Sequence, residues 1–192
     1  MDSVQASPPI APAWAGLDAA AKRGRLLDAA ERVFGARGFD APMPDVARAA
    51  GAGVGSLYRQ FPSKEALVAA LAERRLRQLA ERVRARAAGP DAWAAIEGFV
   101  ADVLGDDADD PVSARAVATT TDDAGVAAAR QEVRSLLGGL VDRGIAAGQV
   151  RADATFRDVI IAVRSARAAR SMGDAAWRRA VALTLDGLRA GR

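Results

Sequence analysis

The chain has 192 residues, of which 51% are hydrophobic, and it carries a formal net charge of +3 with no cysteine and no histidine. Without cysteine it forms neither disulfides nor thiolate metal sites. Without histidine it lacks the commonest metal ligand and the usual general base at neutral pH. We therefore expect no metal site, no cofactor and no catalytic residues.

Positive charge is concentrated in the N-terminal part of the chain. Residues 22–90 carry a net charge of +7, whereas residues 91–192 carry −2. This asymmetry favours a polyanionic partner for the N-terminal part. No apolar run approaches the ~20 residues of a membrane span, and the N-terminus lacks the pattern of a signal peptide. We therefore expect a cytoplasmic protein without membrane contact.

The chain begins with an arm and a first helix. Residues 1–17 are proline-rich and aperiodic, which indicates a disordered arm. The first helix is predicted over residues 18–37, and Gly38 fits the left-handed position that ends a helix, with Phe39 folding back onto the last turn. The apolar positions of this helix follow the 3–4 spacing of one buried face: Leu26, Leu27, Ala30, Val33 and Phe34.

Two short helices follow, joined by a glycine turn. The second helix is predicted over residues 44–50 and ends at Gly51, and the third spans residues 54–60 because Pro62 prevents its continuation. Ser63 caps a long fourth helix over residues 64–88. Two short helices packed on a longer one form a helix-turn-helix, here residues 42–61. The apolar positions that hold the pair together are Val46, Ala47, Ala50 and Leu57.

Beyond "GP" at 89–90 the pattern stays helical, and no segment alternates as a strand. Five further helices are predicted: one marked by apolar residues within 93–103, a short one over 112–118, one that follows "TTTDD" and ends near 147, one ending near 170, and a last one within 177–188. The acidic stretch 105–111 is predicted to be a solvated loop. The fold class is therefore all-α with about nine helices. The predicted domains are a helix-turn-helix domain over residues 18–80 and a C-terminal helical domain over residues 81–192.

The second helix of such a pair enters the major groove of DNA. Ser56, Tyr58 and Lys64 suit phosphate oxygens, which fix register, whereas Arg59 and Gln60 suit guanine and adenine edges. The predicted DNA contacts are Arg25, Val54, Gly55, Ser56, Tyr58, Arg59, Gln60 and Lys64. Two interpretations of Lys22, Arg23 and Arg25 are equally open: contact with the DNA backbone or minor groove, and exposure on a solvated helix face.

Residues 24–71 contain "LLDAAERVFGARGF", "DVARAAG", "GSLYRQF" and "SKEAL" in this order. Together these motifs, which cover about a quarter of the chain, resemble the DNA-binding domain of TetR-family transcriptional repressors. It implies a homodimer through the last two helices, a ligand pocket in the C-terminal domain, and release of a double-stranded DNA operator when an unknown small-molecule effector binds. Two positions depart from the family pattern: Gly53, where Ser is usual, and Gln60, where His or Tyr is common.

The C-terminal part carries no motif that identifies a ligand. The candidate pocket residues are Trp93, Phe99, Val103, Ile160, Arg164 and Met172. The same pattern is typical of core residues, and the sequence leaves the two interpretations open. At Arg164 and Arg167, an ion pair to Asp174 or Asp186 across a dimer is favoured over an anionic ligand. The arginines within 74–86 are interpreted as a solvated face of the fourth helix.

The predicted function is a ligand-responsive, sequence-specific DNA-binding repressor. The alternative is a small-molecule-binding helical protein without specific DNA binding. An enzyme would have to rely on carboxylates and arginines, and no pair of carboxylates lies on an apolar face at a spacing typical of acid–base catalysis. We therefore do not expect an enzyme.

Overall fold

The computed structural model describes residues 14–109, 111–120 and 122–191, with the backbone alone at 106–109 and 111. Within these residues the chain forms nine α-helices and two short 3₁₀ helices, and it has no strand beyond an isolated bridge, which confirms the all-α class. The chain divides into two compact units, residues 1–67 and 68–192. The division falls within the fourth helix.

The first unit contains a short 3₁₀ helix and three complete α-helices. These are the 3₁₀ helix Trp14–Gly16, α1 (Ala19–Arg37), α2 (Met43–Ala50) and α3 (Val54–Gln60), followed by the start of α4 (Lys64–Ala87). Of the predicted arm, residues 1–13 lie outside the described residues. The N–H of Leu17 donates to the Trp14 carbonyl at 3.3 Å and closes a turn where the sequence predicts no regular structure.

The ends of α1 are fixed by local contacts. The Asp18 carboxylate accepts a hydrogen bond from the N–H of Ala21 at 2.7 Å and caps the helix. Gly38 takes a φ of +77°, although its ψ of 173° differs from the left-handed helical geometry expected there. The ring of Phe39 folds back edge-to-face onto Phe34, with centroids 5.3 Å apart. This contact confirms the predicted return of the chain onto the last turn.

The core of the first unit comes from one face of each helix. α1 packs against α2, and α2 packs against α3. The buried side chains are those of Leu26, Leu27, Ala29, Ala30, Phe34, Ala41, Met43, Val46, Ala47, Ala50, Leu57, Phe61 and Leu67. The four residues predicted to hold the short helices together are among them, and each is completely buried.

The second unit is a helical assembly in which α5 contacts α6, α7 and α8, while α8 and α9 pack against each other. Its elements after α4 are α5 (Ala92–Asp109), α6 (Pro111–Thr119), α7 (Ala124–Ala146), α8 (Phe156–Ala169), the 3₁₀ helix Arg170–Met172 and α9 (Asp174–Asp186). Asp123 caps α7 by accepting from the N–H of Val126 at 2.9 Å. Thr155 and Asp158 form a capping box at the start of α8, and the hydrogen bonds from Thr155 lower the pKa of Asp158.

Two sequence predictions fail in the second unit. The stretch 105–109 continues α5 and is not a loop, because no residue before Pro111 is incompatible with helical backbone. Arg75, predicted to lie on a solvated face, is only 4% exposed. It follows Leu71 by four residues and therefore lies on the buried stripe of α4.

The end of the chain is tied to the connection between α7 and α8. The N–H of Arg151 donates to the Leu188 carbonyl, and the N–H of Ala190 donates to the Gln149 carbonyl, both at 3.1 Å. These bonds flank the isolated bridge between residues 150 and 189, and the side chain of Val150 is buried. The bridge therefore fixes Val150 against its neighbours.

Gly144 of α7 tests how tightly this region is packed. A Cβ at Gly144 would lie 2.6 Å from Val150 Cγ2 and 3.3 Å from Val150 Cβ. Because the bridge restrains Val150, we expect Gly144→Ala to lower the free energy of unfolding by about 1–3 kcal/mol, as overpacked core substitutions do. Urea unfolding followed by circular dichroism measures this change.

Gly139→Ala is the matched control on the same helix. A Cβ there meets no atom within 4 Å. Alanine is the better helix former, so this change should raise the free energy of unfolding by about 0.5–1 kcal/mol. The two substitutions are chemically identical but should change the free energy of unfolding in opposite directions. Equal stabilisation by both would contradict the steric argument.

Candidate nucleic-acid interface

The turn between α2 and α3 depends on Gly51. Gly51 takes φ +68° and ψ 28°, a left-handed conformation that glycine adopts without a Cβ penalty. The N–H of Ala52 then donates to the Ala47 carbonyl at 2.9 Å. Gly53 is extended, and its carbonyl accepts from the N–H groups of Ser56 at 2.9 Å and Leu57 at 3.2 Å. These bonds close a tight turn and start α3.

α3 has one buried side and one exposed side. Leu57 is completely buried, whereas Tyr58 is 44% exposed. Val54, Gly55 and Arg59 are also exposed, and Ser56 and Gln60 are half-buried. A short helix that is held by one apolar side chain and offers hydroxyl, guanidinium and amide groups outward has the form of a recognition helix.

The side chain of Arg59 lies along α3. Its Nη2 donates to the Ser56 hydroxyl at 2.9 Å, and its Nη1 lies 3.7 Å from the position that a Cβ at Gly55 would occupy. The guanidinium therefore lies over the exposed side of α3. Because a guanidinium has five N–H donors in a fixed fork, the bond to Ser56 is compatible with contact to a base edge.

Arg25 lies on α1, and Lys64 is the first residue of α4. The Nη2 of Arg25 is 3.4 Å from the Cβ position at Gly51, so this side chain lies against the helix-turn-helix turn. The Nζ of Lys64 donates to the Asp40 carbonyl at 3.3 Å. Backbone and Ser63 hydrogen bonds lower the pKa of Glu65, so a carboxylate follows Lys64 in the chain.

Sequence reasoning missed Trp14, which the structure brings to α3 together with Lys22, a residue whose contact with DNA the sequence left open. Trp14 and Lys22 border an open cleft of about 280 Å³, together with Ala19, Ser56, Arg59 and Gln60. We call this the Trp14 cleft. The only sequence signal for it is a single tryptophan within a proline-rich arm. Arg23, in contrast, stacks over the buried Phe61 ring at 4.7 Å, which gives it a packing role in the first unit.

The predicted pocket residues of the second unit have different environments. Trp93, Phe99 and Val103 of α5 are buried. The ring of Trp93 is covered by the Arg189 guanidinium at 4.7 Å. Ile160 is half-buried, Arg164 is exposed, and Met172 is 76% exposed, so the last two lie on the surface of the chain and not in an enclosed pocket.

Neither a metal centre nor a membrane span is found in the described part of the chain. Among residues 14–109, 111–120 and 122–191, no group of three or more acidic, histidine or cysteine side chains is placed to hold a metal ion. No helix within these ranges is both long and apolar enough to cross a bilayer.

Family comparisons cover both units. The profile "Bacterial regulatory proteins, tetR family" matches residues 26–71. The profile "Transcriptional regulator SbtR-like, C-terminal domain" matches residues 91–190. No curated protein sequence gives a significant match.

Solved structures show the same similarity over most of the chain. The TetR transcription regulatory protein from Mycobacterium vanbaalenii is 32% identical, with a TM-score of 0.67 and 90% of this chain and 97% of that chain covered. The regulator SCO0520 from Streptomyces coelicolor is also 32% identical, with a TM-score of 0.65 and 88% and 99% covered. FadR from Bacillus subtilis, solved in complex with stearoyl-CoA, is 17% identical, with a TM-score of 0.69 and 86% of this chain and 98% of that chain covered. At this identity the similarity shows the fold alone. The predicted family is therefore confirmed: the chain belongs to the TetR family of DNA-binding transcriptional regulators.

Proposed function

We propose that the protein is a repressor that binds a double-stranded DNA operator as a homodimer and releases it when a small molecule binds to the C-terminal unit. It acts in the cytoplasm by binding, without a catalytic role. The observation that carries the proposal is α3, with Leu57 buried beneath and polar groups outward. We assign Arg59 and Gln60 to base edges, and Arg25, Ser56, Tyr58 and Lys64 to phosphates, while Val54 and Gly55 allow close approach to the groove.

Exposed apolar side chains support the homodimer. Ile161 of α8 is 55% exposed and Leu183 of α9 is 54% exposed, and these two helices pack against each other. Large apolar groups on a paired-helix surface favour association with a second copy, since a symmetric dimer buries the same surface twice. We therefore propose that α8 and α9 of each subunit form the dimer interface.

Buried polar groups in the second unit support a ligand site. The Nε1 groups of Trp93 and Trp177 are buried, and neither has a hydrogen-bond partner within the described residues. Such donors are rare in folded proteins and suit a ligand with an acceptor group. Trp93, Phe99, Val103 and Ile160 supply apolar surface from α5 and α8, which contact each other.

Two substitutions on α3 test the assignment of DNA contacts. The operator is first sought in DNA upstream of the protein's own gene by gel shift. We then expect Arg59→Ala to change the order of preference among operator variants, since one bidentate base contact gives about 1–3 kcal/mol of discrimination. Affinities for a panel of single-base operator variants measure this change.

Tyr58→Phe is the matched comparison. It removes one hydroxyl, so all operator variants should weaken alike, by about 0.5–1.5 kcal/mol. Uniform weakening by Arg59→Ala as well would refute its role at a base edge. If the unmodified protein gives no salt-sensitive complex with any duplex, the alternative applies, namely a small-molecule-binding helical protein without specific DNA binding.

A further inference from the structure

The Trp14 cleft adds a site beside the recognition helix. One wall comes from the exposed side of α3, through Ser56, Arg59 and Gln60, and the other from Trp14 and the first turns of α1, through Ala19 and Lys22. The cleft is open and has a volume of about 280 Å³. It therefore has room for a group larger than a few waters.

The lining of the cleft suits an anion. Two of the six lining residues are cationic, Lys22 and Arg59, and two more carry neutral hydrogen-bond donors, Ser56 and Gln60. None of the six is acidic. Arg59, which is assigned to a base edge and bonds the Ser56 hydroxyl at 2.9 Å, adds its positive charge to this wall, and Lys22 is the cation that remains for a phosphate. Charge-assisted bonds from Lys and Arg are the strongest that a protein offers to a phosphate.

The position of the cleft favours a backbone phosphate over a base. A helix with its side chains is about 10–12 Å wide and nearly fills the major groove, which is about 12 Å wide. Groups that stand beside such a helix therefore meet the walls of the groove, where the phosphates are. Trp14 belongs to the 3₁₀ helix before α1 and Lys22 belongs to α1, so they lie beside the recognition helix and not on it.

We propose that the Trp14 cleft binds one phosphate of the operator backbone, with Lys22 as the principal cation and the Trp14 ring as a rigid wall. The inference rests on the proposed contact of α3 with the operator. It gives the segment before α1 a part in DNA binding. A phosphate bound in the cleft would also contact the α3 wall, and this contact with the DNA backbone fixes the register of α3 in the groove.

The test measures salt dependence and sensitivity to single phosphates. Lys22→Gln should reduce the magnitude of the slope of log affinity against log salt by about 2 in a homodimer, one phosphate contact per subunit. Trp14→Ala should weaken binding to all operator variants alike and leave the slope unchanged. A series of operators, each with one phosphate replaced by a neutral methylphosphonate, then locates the phosphate. At the position where this replacement lowers the affinity of the unmodified protein, it should leave the affinity of Lys22→Gln unchanged.

Arg32→Gln is the matched control. It removes the same charge from α1, ten residues and about 15 Å farther along the helix, where Arg32 Nη2 donates to the Ala49 carbonyl of α2 at 3.4 Å. If α2 stays in place, it should change neither the slope nor the methylphosphonate pattern. Circular dichroism unfolding of each variant confirms that the first unit is folded.

Three results would overturn the proposal. If Lys22→Gln keeps the slope and the phosphate sensitivity of the unmodified protein, the cleft holds no phosphate, although operator binding itself stands. If either variant changes the order of preference among operators, the cleft contacts a base. If inorganic phosphate alone saturates the cleft, detected through the Trp14 indole NMR signal, it is a small-anion site. Loss of specific binding by the unmodified protein would instead refute the proposed function, and the inference with it.

Discussion

Leu57→Ala is expected to lower the free energy of unfolding of the first unit by about 2–5 kcal/mol. Leu57 is completely buried and is the only residue of α3 in the core. Its truncation leaves a cavity beneath the recognition helix, so α3 is no longer held firmly against α2. Hydrogen exchange of residues 43–61 should accelerate, and operator affinity should fall, while sedimentation should show an unchanged oligomeric state.

Val54→Ala provides the stability control for this result. Val54 is also an apolar residue of α3, but it is 42% exposed. Its truncation should change the free energy of unfolding by no more than about 0.5 kcal/mol. Equal effects of the two substitutions on stability would mean that Leu57 does not anchor α3. A normal exchange rate in Leu57→Ala together with lost DNA binding would indicate a direct contact.

Operator affinity is expected to fall by about 10³-fold when salt is raised from 50 to 200 mM. The expectation counts three cations per subunit at phosphates: Arg25, Lys64 and Lys22. Six neutralised phosphates in a homodimer give a slope of about −5 in a plot of log affinity against log salt. Fluorescence anisotropy of a labelled operator, titrated at five or more salt concentrations, measures this slope.

Two variants separate the charged contacts from the neutral ones. Arg25→Gln should reduce the magnitude of the slope by about 2, because it removes one charge from each subunit. Tyr58→Phe should lower affinity and leave the slope unchanged, since a hydroxyl displaces no counterion. A slope near zero for the unmodified protein would contradict phosphate contact altogether.

The helix-turn-helix could be predicted from the sequence because its determinants are local. Gly51 and Pro62 delimit the short helices, and the bounds of α3, Val54–Gln60, are those predicted. Val46, Ala47 and Ala50 follow the spacing of one helix face, and all three are completely buried. Both the glycine that the turn requires and the apolar residues that the buried helix face requires can be read directly from the sequence.

The surroundings of the candidate site could not be predicted in the same way. The Trp14 cleft joins residues that are distant in the chain, and its tryptophan lies in an arm without periodicity. Arg75 is charged, which argues for exposure, but its place on the inner stripe of α4 leads to burial. The acidic composition of 105–109 favoured a loop, yet helical backbone continues as far as Asp109.

The sequence by itself determined the all-α class, the family and the bounds of the recognition helix, because helix periodicity and glycine or proline breaks act within a few residues. Tertiary structure decided which cations meet α3 and which residues the second unit buries. It stacks Arg23 on Phe61, and it places Lys22 beside Trp14. These outcomes depend on how helices that are distant in the sequence pack against each other. Packing buries one arginine and exposes another, although the two look alike in the sequence.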